Sequence, residues 1–461
     1  MKRPCMKAAV ILGAAAFLFT SGFARAEDHA AGTAGYLKSA TYYSDDWVIN
    51  FWNSESGNMD QELARIAQDG FNNIILVVPW REFQPGMTPC TYNQYAWDKL
   101  EDAGIFKSSA NRWTAAAYLG SVYNYLASCK RYDVGKELVG IQPLNDFGWV
   151  DEEAMSLAAR DVLKEVVEKS PYELLDKNNY RKLYYEMSKE AQYKECLLMA
   201  EYAENTKHCM VSYYVLSPVG DAKTVGGSYQ RMFPTMKLYR SYDNADVRRD
   251  CNITGAYNPN NRYGSDLSKI PSETVDGYRY YVPAESSGVA SGTSTALWCT
   301  GKFRVSDPKE RSSISANQCV MNYPLMRMAE VRLQYAEALY FTGDESGARK
   351  QFDPVRERVL AGDVSLKKLN EAYYRSDFVE ELLEERGREL CYESKRKIDL
   401  IRFGRITETI EELPSEGGPN NVAVGIDLLK DNWRSYKIWL PVPQLEIDLN
   451  PNLEQNAVYA D

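Results

Sequence analysis

Residues 326–360 read MRMAEVRLQYAEALYFTGDESGARKQFDPVRERVL, and this stretch decides the fold. Apolar residues recur at helical spacing on both sides of Gly343-Asp344. Ala336 and Ala348 form a small pair twelve residues apart, with the larger Leu339, Phe352 and Val355 beside them. Small residues that face one another let two antiparallel helices approach closely. Gly343 suits the turn, and Asp344 has the side chain to cap the second helix. The stretch predicts a helical hairpin with a tight seam.

Upstream, Trp113 to Ala127 carries Ala116, Leu119, Gly120 and Tyr123 at helical spacing. Glu152 to Glu168 places Ala154, Leu157, Ala158, Val162 and Val166 on one face. Both hairpins have the small–large order of tetratricopeptide repeats, the first with a long insert between its helices. Repeats of this kind more often bind partners than perform chemistry. A third helix is predicted from Asp377, with Glu380 at capping-box spacing, to about Arg396. Its many charges read as a solvated face with i,i+4 pairs such as Glu384 with Arg388. Acids strung along a helix do not converge as a calcium site requires.

At the start of the chain, Lys2, Arg3 and Lys7 precede an apolar run from Ala8 to Phe23, followed by Ala24-Arg25-Ala26. That is the pattern of a signal peptide over residues 1–26. The run is roughly 16 residues, short of the about 20 needed to span a membrane. The chain has 461 residues and a net charge of −10, and loss of the leader makes it more acidic still. Such a charge disfavours nucleic acid. Only His29 and His208 are present, so a His-based triad or multi-His metal site is nearly excluded. The cysteines are scattered without a CxxC pair, so no zinc cluster is expected and no cofactor is implied. Export permits about one to three disulfides, with Cys196–Cys209 the nearest pair in sequence.

Residues 36–104 form a separate piece. Trp47 to Trp52 predicts a strand, a helix starts at Asn58 with Leu63, Ile66 and Ala67 inward, and Ile74 to Val78 predicts a buried strand. This βαβ pattern, continued in Trp80-Arg81-Glu82-Phe83-Gln84-Pro85 and Tyr95 to Leu100, resembles the opening of a TIM-barrel glycoside hydrolase over about residues 36–100. The later strands that usually carry a glycosidase's two carboxylates do not follow. Glu82 alone reads as a structural residue, and no catalytic residue is assigned.

Between Ser212 and Asn322 the periodicity weakens, and Gly, Ser, Pro and Asn become dense. Long irregular stretches in folded chains tend to carry function. Tyr278, Tyr280, Tyr281 and Trp298 lie here and are the candidates for a sugar-stacking platform.

Beyond residue 105 an ordered set of motifs resembles the SusD/RagB proteins, the helical surface partners of outer-membrane glycan importers. Its members include Asp246-Val247-Arg248, Gly301-Lys302-Phe303-Arg304, Tyr323-Pro324-Leu325-Met326-Arg327 and Glu385-Arg386-Gly387-Arg388-Glu389. Asp399-Leu400-Ile401-Arg402 and Asn450-Pro451-Asn452-Leu453 complete it. The resemblance implies a mainly α fold over residues 105–461, with tetratricopeptide-like hairpins, long irregular loops and the short βαβ piece in front. It implies no catalysis, an oligosaccharide ligand, and delivery to a SusC-like TonB-dependent transporter at the outer face of the outer membrane. Family members normally carry a lipoprotein cysteine that this leader lacks, which leaves a periplasmic or secreted location open. The motif charges read as scaffold, with Arg327 and Glu330, and Glu389 with Arg396, as buried ion pairs. The rival functions are hydrolase activity from residues 36–104 and a helical interaction protein without sugar binding.

Overall fold

The helices stand where apolar spacing and a capping side chain agree. The computed structural model describes residues 19–22, 39–41, 59–69, 73–76, 86–87, 90–91, 111–134, 147–202, 234–255, 272–281, 298–304, 321–361, 373, 377–413, 420–456 and 459. The chain divides into two units, Met1–Arg112 and Trp113–Asp461.

In the first unit, β1 (Phe19–Gly22), β2 (Ser39–Thr41), α1 (Met59–Gln68) and β3 (Asn73–Leu76) surround a three-stranded sheet of order β1-β3-β2. Strands β2 and β3 are parallel, with Ala40 opposite Ile74. A strand–helix–strand unit is therefore present, but its first strand is Ser39–Thr41. Residues 47–52, Glu82 and residues 95–100 lie outside the described residues. Strand β1 runs antiparallel to β3, but it lies within residues 1–26, the segment read as a leader; without it the described sheet is the parallel pair β2–β3. A short hairpin of β4 (Gly86–Met87) and β5 (Cys90–Thr91) follows.

The second unit is mainly helical. It opens with α2 (Arg112–Arg131), α3 (Glu152–Lys169), α4 (Lys189–Glu195) and β6 (Cys196–Ala200). Then come α5 (Met236–Arg240), α6 (Arg248–Asn252), β7 (Ile253–Gly255), β8 (Ser272–Val275), β9 (Tyr278–Tyr281) and β10 (Trp298–Thr300). Strand β11 (Tyr323–Arg327) leads directly into α7 (Met328–Phe341), followed by α8 (Glu345–Glu357), α9 (Phe378–Leu390) and α10 (Arg396–Arg402). The chain continues through α11 (Ile406–Glu411), α12 (Asn420–Asn432) and α13 (Gln444–Leu449).

Three of the helices are capped by aspartates. Asp151 accepts from Ala154 N at 3.0 Å, Asp344 from Gly347 N at 2.8 Å and Asp377 from Val379 N at 2.8 Å. Gly343, at φ +90°, ends α7 in the left-handed region that favours glycine. Helix α7 is the centre of the unit and packs against α3, α8 and α9. The predicted seam is realised: Ala336, Ala348, Phe352 and Val355 are fully buried and Leu339 nearly so. Phe378 of α9 closes it, stacked on Phe352 at 5.5 Å and on Tyr340 at 4.2 Å. Strand β11 pairs antiparallel with β6, and Thr114 Oγ1 donates to Leu197 O at 2.7 Å, which ties α2 to that pair.

Cys129, Cys196, Cys251 and Cys391 are free and buried, so the expected Cys196–Cys209 bridge is not formed. Cys196 instead fills the cluster of Tyr180, Leu183, Tyr184 and Phe303 as a small apolar group. Burial pushes the Cys129 thiol up to about 11.

Helices α2 and α3 touch at Gly120, where an added Cβ would lie 2.5 Å from Leu163 Cγ. Leu163 is itself fully buried and has nowhere to move. Gly120→Val is expected to destabilise the protein by about 1–3 kcal/mol through overpacking, measured by urea unfolding. An unchanged midpoint would show that the two helices are not in close contact there.

Candidate functional site

The charged run of α9 is buried, not solvated. Glu381, Glu385 and Glu389 are fully buried, and Glu393 just beyond the helix is 2% exposed. Four glutamates at four-residue spacing lie along one stripe of a helix and repel one another. Cations from distant segments neutralise them. Arg356 bridges Glu381 and Glu385, both at 3.0 Å. Arg248 bridges Glu385 (2.7 Å) and Glu389 (2.8 Å) and also holds Asp246 at 2.6 Å. Arg327 bridges Glu389 (2.5 Å) and Glu393 (2.8 Å) and reaches Glu195 at 2.9 Å. Arg358 pairs with both Glu195 and Glu389, and Lys302 closes the ladder on Glu393 at 2.7 Å.

Burial alone would raise these carboxyl pKa values. The facing cations override it: Arg358, Arg327 and Arg248 hold Glu389 well below the carboxylate range, and Arg327 with Lys302 holds Glu393 at about 2. The expected Glu384–Arg388 pair is present at 3.7 Å, but Arg388 is buried against Glu385 at 2.8 Å and lies over the Tyr373 ring. Other pairings differ from expectation. Glu330 pairs with Lys395 (3.0 Å) and Arg386 (3.7 Å) rather than with Arg327. Arg396 donates to Leu383 O at 2.6 Å instead of meeting Glu389.

This ladder fixes the segment from which the candidate platform projects. Lys302 and Phe303 follow β10, which pairs antiparallel with β7, Trp298 opposite Gly255. Phe303 is left-handed (φ 65°) and buried, stacked on Tyr323 at 5.4 Å and edge-on to Tyr184 at 5.8 Å. Tyr392 and Ser394, on either side of Glu393, are also left-handed. The surrounding contacts, including a hydrogen bond between Tyr323 OH and Ser394 Oγ at 2.9 Å, hold that turn.

Strands β8 and β9 form an antiparallel hairpin around Asp276-Gly277, whose φ values of 51° and 85° are those of an Asp-Gly turn. The hairpin lies on residues 181–188. Arg181 meets Glu273 at 2.7 Å, Lys182 meets Asp276 at 2.9 Å, and Ser188 Oγ donates to Asp276 at 2.8 Å. Tyr185 OH donates to Glu273 as well.

The four candidate aromatics do not share one environment. Tyr280 is fully buried, its ring 4.4 Å from Tyr185 and its hydroxyl accepting from Met187 N at 3.2 Å. It anchors the hairpin and offers no face to a ligand. Tyr278 is half-buried next to the turn, opposite Val275. Tyr281 pairs through its backbone with Ser272, and Trp298 with Gly255; their side chains lie outside the described residues. Residues 181–188 were missed in the sequence, although Arg181-Lys182 and the Asp-Gly turn were visible as complementary charges. Among the described residues no His, Cys, Asp or Glu group is arranged to hold a metal, and no helix is long and apolar enough to cross a membrane.

Comparison with known proteins gives consistent matches. The SusD family (SusD_RagB) matches residues 165–459. SusD-like protein P2 of Formosa agariphila is 26% identical over 380 residues, covering 79% of this chain and 62% of its own. The starch-binding protein SusD of Bacteroides thetaiotaomicron is 29% identical over 201 residues, 42% of this chain and 31% of its own. The chain thus spans less than two thirds of the length of these curated relatives. Among solved structures, a SusD homologue from B. thetaiotaomicron has a TM-score of 0.50 at 19% identity, covering 79% of this chain and 69% of that one. Surface glycan-binding protein A from the same species, in complex with laminarihexaose, has a TM-score of 0.51 at 16% identity, covering 78% and 68%. At such identities the likeness establishes the fold alone.

The ladder sets the response to acid. Depressed carboxylate pKa values contribute stability above pH 4.5, the ordinary glutamate value, and that stability is lost as the pH falls toward about 2. Unfolding followed by circular dichroism is expected to progress through this window. Glu389→Gln is expected to cost about 3–5 kcal/mol at neutral pH, since it leaves buried arginines under-compensated. Stability independent of pH between 4.5 and 2 would refute the charged state of the ladder.

Proposed function

The chain belongs to the SusD family, and from that premise we propose that it is a non-catalytic binding protein for oligosaccharides. The observation that carries this reading is the family match over residues 165–459. Relatives named for starch binding and bound to laminarihexaose support it. Tyr278, Tyr281 and Trp298 are the proposed stacking residues, with Tyr280 as the buried anchor of the β8–β9 hairpin. A tyrosine ring offers a pyranose an apolar face and a hydroxyl edge.

Delivery to a SusC-like TonB-dependent transporter, at the outer face of the outer membrane, is the second part of the proposal. Exposed apolar side chains support docking on another protein. Tyr118, Val122 and Tyr125 are 37–49% exposed at i, i+4, i+7 on α2, and Leu445 and Leu449 of α13 are 66% and 72% exposed. For residues 36–104 the hydrolase resemblance has no support beyond sequence. The family match starts at residue 165 and does not reach this piece.

Affinity electrophoresis and calorimetry with laminarihexaose and with starch test the reading. Binding without release of reducing sugar is expected, and Tyr278→Ala is expected to weaken it about three- to tenfold, the worth of one aromatic contact. Release of reducing sugar, or binding to neither glycan, would count against it.

A further inference from the structure

We propose that Arg181, Lys182 and Ser188 are positioning residues that hold the β8–β9 hairpin, and with it Tyr278, in place for a bound glycan. The inference rests on the glycan-binding reading but deepens it. A two-stranded hairpin is marginal by itself in water and needs a surface to lie on. Among the described contacts, this one is attached by two ion pairs at the periphery, by hydrogen bonds from Ser188 and Tyr185 to its acids, and by Tyr280. Arg181–Glu273 and Lys182–Asp276 are 27–43% exposed at their side chains, in contrast to the sealed ladder. One buried ring, Tyr280 against Tyr185, sits beneath them.

Exposed pairs each contribute little, so neither alone decides the global fold. They do decide how much of the time a marginal hairpin stays docked. Asp276 concentrates the effect. Its two oxygens take Lys182 and Ser188, and its left-handed backbone (φ 51°) starts the turn that sets Tyr278 opposite Val275. Because the pairs reach solvent, salt weakens them: the screening length falls from roughly 10 Å at 0.1 M to about 3 Å at 1 M. The sealed ladder is screened far less.

The test is amide hydrogen exchange at residues 278–280 together with laminarihexaose affinity. Wild type is measured at low salt and at about 1 M NaCl, and Lys182→Met and Asp276→Asn at low salt. Asparagine keeps the preference for a left-handed backbone and removes the charge. Exchange at 278–280 is expected to rise about fivefold in each variant and in high salt, with α7 amides unchanged, and affinity to fall about threefold in parallel. Unchanged exchange would overturn the docking claim whatever the glycan result. Faster exchange with unchanged affinity would overturn the positioning claim. Failure of wild type to bind laminarihexaose or starch would overturn both the positioning claim and the glycan reading, while exchange would still report on docking.

Discussion

Everything in the helical unit depends on neutralising a row of glutamates inside the protein. Moving one carboxylate from water to the interior costs several kcal/mol, and α9 with its following turn carries four. The cost is met only if arginines arrive from α6, β11 and α8 in a fixed geometry. Three arginines bridge successive rungs: Arg356 the first and second, Arg248 the second and third, Arg327 the third and fourth. A hydrophobic seam tolerates small shifts in register. A ladder of charges does not, because a one-turn slip leaves ions buried without partners.

The apolar seam and the ladder divide the work on α9. One side offers Phe378, Leu382 and Leu383 to the core that α7 and α8 share. Another offers the glutamates to the cations. Helix α9 is therefore held from two directions, and the loops that carry Lys302 and Phe303 are fixed to it. Strand β10, which carries the candidate Trp298 and leads into Lys302, is tied to this arrangement. On the hairpin side the candidate platform depends on the exposed pairs with residues 181 and 182.

The hairpin at 326–360 was legible in the sequence because small and large residues repeat within one local segment. The ladder was misjudged because its partners are far away in the chain. Nothing near Glu389 shows that Arg248 will meet it. A signal was present nonetheless: residues 381, 385, 389 and 393 are all glutamate at one-turn spacing, an arrangement that a solvated helix would relieve with alternating charge. At the candidate site, strand alternation puts Tyr278 and Tyr280 on one face of β9 and Tyr281 on the other, so it could have separated Tyr281 from the other two. Which of them is the anchor depends on Tyr185, a residue outside the loop. The free Cys196 follows the same rule, since sequence proximity to Cys209 says nothing about which core the thiol enters.

The reach of the ladder also bears on when the chain can fold. Arg248 and Glu389 are 141 residues apart, and Arg327 and Glu195 are 132 apart. The acids of α9 are among the last parts of the unit to be synthesised. Until they emerge, a collapsed N-terminal portion would enclose Arg248 with Asp246 alone and Arg327 and Arg358 with Glu195 alone, so premature collapse is penalised and non-local pairing slows the rest. Folding of the unit then completes only once the glutamates of α9 are available to the arginines.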